Sequence, residues 1–190
     1  MSIDPVEQKT WIEQCIVGER KAQQKLYDSF YGKMLSVCMR YARNTDQAKD
    51  ILQDGFIKVF NSLERFNHEG SLEGWIRRIM VNTAIDLIRK EKRSLVIHNS
   101  EERLDESVEI VAIEDNSEED ELQLSMTQVV DAMQELSPGY RAVFNLYVME
   151  DMTHKEIAEK LNISEGTSKS NLSKAKMNLK KILAEKAQDI

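Results

Sequence analysis

Only seven glycines and two prolines punctuate this chain of 190 residues. An all-β sandwich or barrel needs turn residues every few positions, so the scarcity nearly excludes one and leaves helix as the default. The length allows one core or two small domains, at roughly 100–200 residues per domain. No apolar run approaches the roughly 18 residues of a membrane span, and the first residues lack the basic-then-apolar pattern of a secretory signal. Cys15 and Cys38 stand apart with no CxxC, which suggests neither a disulfide framework nor a zinc site. A soluble protein in a reducing cytoplasm, without membrane insertion, is expected.

The net charge of −7 argues at first against a nucleic-acid partner, but the average misleads. Residues 95–125 hold eleven acidic side chains against Arg103 alone, which leaves the remainder at +3, with 25 basic and 22 acidic residues. Within that remainder, 71–94 carries six basic and three acidic residues, and 164–186 six basic and two acidic. Two basic islands flank an acidic bridge. The bridge has few aromatics and no sustained apolar period, as in a segment that cannot bury enough surface to fold. The expected fold class is therefore all-α, with two small helical domains, 1–94 and 123–190, joined by an acidic tether over 95–122.

Local signals place the helices. Asp4-Pro5 opens one that carries Trp11, Ile12, Cys15 and Ile16 at helical spacing until Gly18. A second runs from about Lys21 to Arg43, with Leu26, Phe30, Met34, Leu35, Val37, Cys38 and Tyr41 on its apolar face. Asn44 and Thr45-Asp46 supply the stop and the next N-cap. The third helix carries Ile51, Leu52, Phe56, Val59, Phe60 and Leu63, with Gly55 tolerated inside it. A loop over 65–70 follows, and Ser71 caps a fourth helix reaching about Arg93. Further on, Ser137-Pro138 opens another helix, and Thr153 with Glu156 fits a capping box. Ser164 caps the last helix, which continues to about Glu185.

Two short helices joined by a turn at Asn162-Ile163, the second strongly basic, describe a helix-turn-helix. The second helix would enter the major groove with its N-terminal residues near base edges. Those residues are Glu165, Thr167, Lys169, Ser170, Ser173 and Lys174. The competing reading is a generic helical hairpin with a solvated basic face. On the fourth helix, Leu72, Trp75, Ile76, Ile79, Thr83 and Leu87 form one expected buried stripe. Arg78, Asn82, Ile85 and Arg89 form another on the far side, with chemistry suited to phosphates and base edges. The loop residues Phe66, Asn67 and His68 are candidates to stack on or cradle an unpaired base.

Catalysis finds little support. His68, His98 and His154 lie far apart without metal-ligand spacing, and no glycine-rich phosphate loop exists. No catalytic residue, metal or cofactor is expected. Asp46, Asp50 and Asp54 share a helix face, which fits a solvated or partner-binding surface.

These residues resemble a known family, the extracytoplasmic-function sigma factors of bacterial RNA polymerase. Asp46-Gln-Ala-Lys-Asp-Ile-Leu-Gln-Asp-Gly-Phe-Ile-Lys-Val-Phe is similar to the family's polymerase-binding helix. Leu72-Glu-Gly-Trp-Ile-Arg-Arg-Ile-Met-Val-Asn-Thr-Ala-Ile-Asp-Leu-Ile-Arg-Lys is similar to its promoter-melting helix. Leu136-Ser-Pro-Gly-Tyr-Arg-Ala-Val-Phe and Ile163-Ser-Glu-Gly-Thr-Ser-Lys-Ser-Asn-Leu-Ser-Lys-Ala-Lys resemble its upstream-element helix-turn-helix. The sequence departs from many members at Ser168 (Val), Asn171 (Arg), Ser173 (His) and Lys176 (Arg). Ser168 gives up a buried apolar contact and the others give up phosphate and base contacts, so no upstream base preference is carried over. No counterpart of the inhibitory N-terminal region or the third folded domain of larger sigma factors is expected.

The resemblance implies a non-enzymatic specificity subunit that binds core RNA polymerase and directs promoter-specific initiation. Arg40, Asp50, Gln53 and Asp54 would meet the β′ clamp helices. Phe66, Asn67, Gly70 and Ser71, with Arg78, Asn82, Asp86 and Arg89, would recognise and open the minus-ten element. The C-terminal helix-turn-helix would hold the minus-thirty-five element and touch the β flap, with the acidic tether directed toward the RNA exit channel. Whether an anti-sigma factor is a further partner is left open by the sequence. The competing function is a helix-turn-helix regulator with an N-terminal helical sensor, which has no need of the Arg78/Asn82/Arg89 stripe.

Overall fold

A computed structural model describes the backbone of residues 5–67, 69–98 and 126–188, and among these every regular element is helical. The elements are α1 (Pro5–Ile16), α2 (Arg20–Tyr41), α3 (Thr45–Ser62), a 3-10 turn (Leu63–Arg65), α4 (Leu72–His98), α5 (Met126–Glu135), α6 (Pro138–Val148), α7 (His154–Leu161) and α8 (Glu165–Gln188). The chain divides into two compact units, Met1–Leu87 and Ile88–Ile190. Asp4, His68 and the acidic stretch from residue 99 to 125 lie outside the described residues. Residues 95–98, expected in the tether, instead continue α4, which runs beyond the expected end at Arg93.

Helix ends follow from short-range chemistry. Gly18 has φ of 83°, a conformation in which a Cβ is strained. There its N–H donates to the Cys15 carbonyl at 3.1 Å, and the Glu19 N–H donates to the Gln14 carbonyl at 3.0 Å. This paired closure satisfies carbonyls that the end of α1 would otherwise leave bare. Asn44 caps α3 by accepting from the Gln47 N–H at 2.9 Å. Ser71 accepts from the Gly74 N–H at 3.0 Å and so starts α4.

In the first unit, α1 packs on α2, α2 on α3, and the 3-10 turn closes against α1 and α3. Trp11, Ile12, Leu26, Met34, Leu52, Phe56, Val59 and Leu63 are buried, each contributing about 1.5–3 kcal/mol if fully withdrawn from water. Ile16, expected inward, is 43% exposed at the last position of α1. Gly55 is more than tolerated. A Cβ there would overlap Met80 Sδ, so the glycine is what lets α3 and α4 approach.

In the second unit, α8 is the central element, packed by α5, α6 and α7. Pro138 occupies the first turn of α6 behind the Ser137 cap. Thr153 and Glu156 form the expected capping box on α7. Asn162 closes α7 in the left-handed region at φ of 53° and ψ of 56°, where Asn is among the few tolerant residues. Ser164 then accepts from the Thr167 N–H at 3.0 Å and starts α8.

Candidate nucleic-acid interface

Three surfaces gather the candidate residues. The first is the outer face of α3. Its buried line is Ala48, Ile51, Leu52, Gly55, Phe56 and Val59, which turns Asp50, Gln53 and Asp54 outward, all exposed. Ile57 sits on the same outer face, 52% exposed among those polar neighbours. The sequence did hold its signal: an isoleucine off the apolar stripe. Arg40, at the end of α2, is half-buried.

The second surface is α4 with the loop before it. Arg78, Asn82 and Asp86 are exposed and Arg89 is half-buried, so the four lie on one outward band. Ile85 does not share that band: at 2% exposure it belongs to the core. Trp75, Ile79 and Leu87, expected to be buried, are half-buried, while Met80, Val81 and Ala84 are buried. At 100° per residue the buried arc therefore covers more than half the circumference of α4. The reason is that α4 has neighbours on two elements, α2 through Lys33–Glu73 and α3 through Met80 and Asp86. Asp86 pairs with Lys58 at 3.3 Å, both largely exposed.

Phe66 is corrected as well. It is 5% exposed, its ring 5.6 Å from that of Trp75, so it braces the loop from beneath instead of offering a stacking face. The half-exposed aromatic beside the loop is Trp75, which helical periodicity alone had assigned to the core. Asn67 is exposed and accepts from the Glu69 N–H at 3.2 Å. Gly70 has φ of 82°, a left-handed turn that delivers Ser71 to its capping position.

The third surface is α8. Ser168, Leu172, Ala175 and Leu179 form its buried line. The opposite strip is Gly166, Ser170, Ser173 and Met177, the last 54% exposed. Lysines lie along both edges of this strip. Lys169, Lys176 and Lys180 are exposed on one edge, and Lys181 with the half-buried Lys174 lies on the other. Lys169 and Lys174 are thereby about 140° apart around the axis, an arrangement that reaches phosphates on both sides of a groove. Glu165 and Thr167 are exposed at the helix start, with Thr167 Oγ1 bonded to Ser164 Oγ at 2.8 Å.

The fold buries further polar groups that sequence periodicity did not single out. Arg141 is 3% exposed and donates to the carbonyls of Gln134 at 2.9 Å and Leu136 at 2.7 Å. Burial lowers its guanidinium to about 10, still charged at neutral pH. Burial also pushes the Cys15 thiol up to about 11 and Cys38 up to about 12, which leaves both protonated and poor nucleophiles. Among the described residues no cluster of three or more His, Cys, Asp or Glu side chains gathers as a metal site, and no helix is long and apolar enough to cross a membrane.

A capped helix-turn-helix with a lysine-edged second helix, in a chain whose other unit presents an Arg/Asn band, defines the class: an all-helical DNA-binding protein of transcription. Comparison with known proteins narrows it. The sigma-70 region 2 family matches residues 26–94, and the sigma-70 region 4 family matches residues 126–179. The RNA polymerase sigma factor SigV of Bacillus subtilis (strain 168) is 31% identical over 135 residues, covering 71% of this chain and 75% of that protein. The ECF RNA polymerase sigma factor SigW of the same organism is 28% identical over 179 residues, covering 92% and 96%. Among solved structures, the sigma factor RpoE in complex with the anti-sigma factor NepR from Bartonella quintana is 22% identical, with a TM-score of 0.49 over 85% of this chain and 96% of that one. The chain belongs to the sigma-70 family of RNA polymerase sigma factors, in its extracytoplasmic-function group.

Proposed function

We propose that this sigma factor is a non-catalytic specificity subunit that binds core RNA polymerase through α3, opens promoter DNA with α4 and its preceding loop, and grips the upstream duplex with α8. In this reading residues 1–94 form the polymerase-binding and minus-ten part, 95–122 the acidic tether, and 123–190 the minus-thirty-five part. Asp50, Gln53, Asp54 and Arg40 meet the β′ clamp helices, with Ile57 as an apolar anchor among charges. Asn67, Gly70, Ser71, Arg78, Asn82, Asp86 and Arg89 face the opened strand, where Phe66 acts only as support. Capturing an unpaired base offsets the few kcal/mol, roughly, that unstacking costs. Glu165, Thr167, Lys169, Ser170, Ser173 and Lys174 meet the upstream duplex, and the second unit touches the β flap. The site of action is the cytoplasm, with polymerase. An anti-sigma factor is a natural competitor for the same faces.

The observation that carries the reading is the outward band of Arg78, Asn82 and Arg89 in a chain that also holds a lysine-edged helix-turn-helix. A regulator with a helical sensor needs only the second. The test compares Asp50→Lys with Asp54→Lys, as a double variant, against Asn82→Ala. The charge reversal is expected to abolish co-purification with core polymerase while the protein stays folded. Asn82→Ala is expected to bind polymerase normally yet form fewer open complexes, scored by permanganate reactivity of unpaired thymines. A template already mismatched across the minus-ten element should partly rescue it. Wild-type melting of a fully paired promoter by Asn82→Ala would remove α4 from the mechanism.

A further inference from the structure

The buried line of α8 is apolar at Leu172, Ala175 and Leu179 but polar at Ser168, whose side chain has no solvent exposure. A hydroxyl so placed costs free energy unless it is bonded. Its Oγ lies 2.9 Å from Nδ1 of His154, the first residue of α7. The imidazole in turn stacks on Tyr147 of α6, with ring centroids 4.8 Å apart and planes 23° from parallel. Three helices thus meet at one contact: α6 steadies the ring, α7 carries it, and α8 supplies the hydroxyl.

We infer that Ser168 and His154 are a positioning pair that fixes the roll of α8, and so the placement of its DNA-facing residues. The inference rests on the reading of α8 as the helix that enters the upstream duplex. Apolar contacts along Leu172, Ala175 and Leu179 are non-directional and tolerate rotation about the helix axis, whereas a hydrogen bond weakens steeply off its line. Side chains extend about 5–6 Å from a helix axis, so a roll of about 10° moves them by about 1 Å. That exceeds the roughly 0.5 Å within which a recognition constellation must be held. Ser168 adjoins Thr167 and Lys169, so any roll at the tether is a displacement at the DNA face. The hydroxyl donates to an unprotonated Nδ1 and accepts from a protonated one, so the pair holds in either proton state.

The test uses the full chain and two duplexes, one enriched by the wild-type protein from a random-sequence pool and one of arbitrary sequence. Ser168→Ala and His154→Phe, which keeps a ring against Tyr147, are each expected to lower affinity for the enriched duplex by about tenfold, the scale of one hydrogen bond. Affinity for the arbitrary duplex, set by lysine charge, is expected to change by less than about twofold. Ser168→Thr should restore binding, and the double variant should be no weaker than either single one. Thermal unfolding keeps the comparison to folded protein, and His154→Phe decides alone if Ser168→Ala does not fold. Wild-type affinity for the enriched duplex in His154→Phe, or equal losses on both duplexes, would overturn the tether. If wild type enriches nothing from the pool, the reading of α8 fails instead.

Discussion

The two units hold their working helices in different ways. The first packs the Leu72–Leu87 part of α4 into a broad apolar core, in which Thr83 is the buried polar residue among those described. Among the described residues the second buries fewer apolar side chains and places Arg141, Asn145 and Ser168 inside, each with a hydrogen bond. A larger apolar core can orient a helix by shape alone, because close packing leaves few alternative fits. A small one gains less from burial, and directional bonds settle what packing leaves loose. Damage should therefore follow lost hydrogen bonds in the second unit and lost fit in the first.

The largest effect is expected at Arg141. Truncation to Ala strips the Gln134 and Leu136 carbonyls of their donor, and leaving such groups unsatisfied costs about 3 kcal/mol in total. Both tryptophans, Trp11 and Trp75, lie in the first unit, so circular dichroism should lose a transition that tryptophan fluorescence keeps. A shift of the fluorescence transition by the same amount would erase the contrast between the units.

Gly55→Val probes the opposite case. The new side chain collides with Met80, and overpacking of this kind costs about 2 kcal/mol. Here the fluorescence midpoint in denaturant should fall. An unchanged midpoint would show that the α3–α4 fit is loose.

A smaller effect is expected from charge on α8. Lys169→Ala with Lys174→Ala should weaken duplex binding about tenfold and flatten the plot of log affinity against log salt by about two phosphate contacts. The fold should be unaffected, since Lys169 is exposed and Lys174 is half-buried. An unchanged salt slope would mean that these lysines do not reach the backbone.

The smallest effect is expected at the α7 cap. Hydrogen bonds from the Thr153 side chain, and then from its backbone, hold the Glu156 carboxyl below its ordinary range. A folded pKa below the unfolded one stabilises above the unfolded value, and the gain fades as pH falls through the folded value. Thr153→Ala should cost about 1 kcal/mol at neutral pH. It should also flatten the acid-side loss of stability in the second unit. Urea melts at a series of pH values would detect either change.

How much was legible beforehand varied with the range of the interaction. The helix starts at Ser71, Ser137, Thr153 and Ser164 were read correctly, because a cap joins residues three apart. Asn44, expected as the stop before a Thr45-Asp46 cap, is itself the cap of α3. The outward faces of α3 and α8 were legible too, since each has one buried line and the helical period locates it. Four α4 residues, Leu87 among them, misled for a common reason. Ile85 is core, while Trp75 and Ile79 are only half-buried, because flanking contacts on α2 and α3 widen and rotate the buried arc. Periodicity reports that a helix has a buried side; it does not report how many neighbours cover it.

By itself the sequence determined the helical class, the starts of α4, α6, α7 and α8, the separation of acid from base along the chain, and the family motifs in their order, while α5 went unread. These depend on chemistry within a few residues or on plain composition. Only the tertiary structure decided that Phe66 supports its loop from within, that Gly55 is a point of close approach, and that Arg141 closes α5 onto α6. The same holds for Ser168, whose hydroxyl meets His154 fourteen residues back. Each of these turns on which atoms of a neighbouring element come within a few ångströms, and that distance is set by how the helices pack.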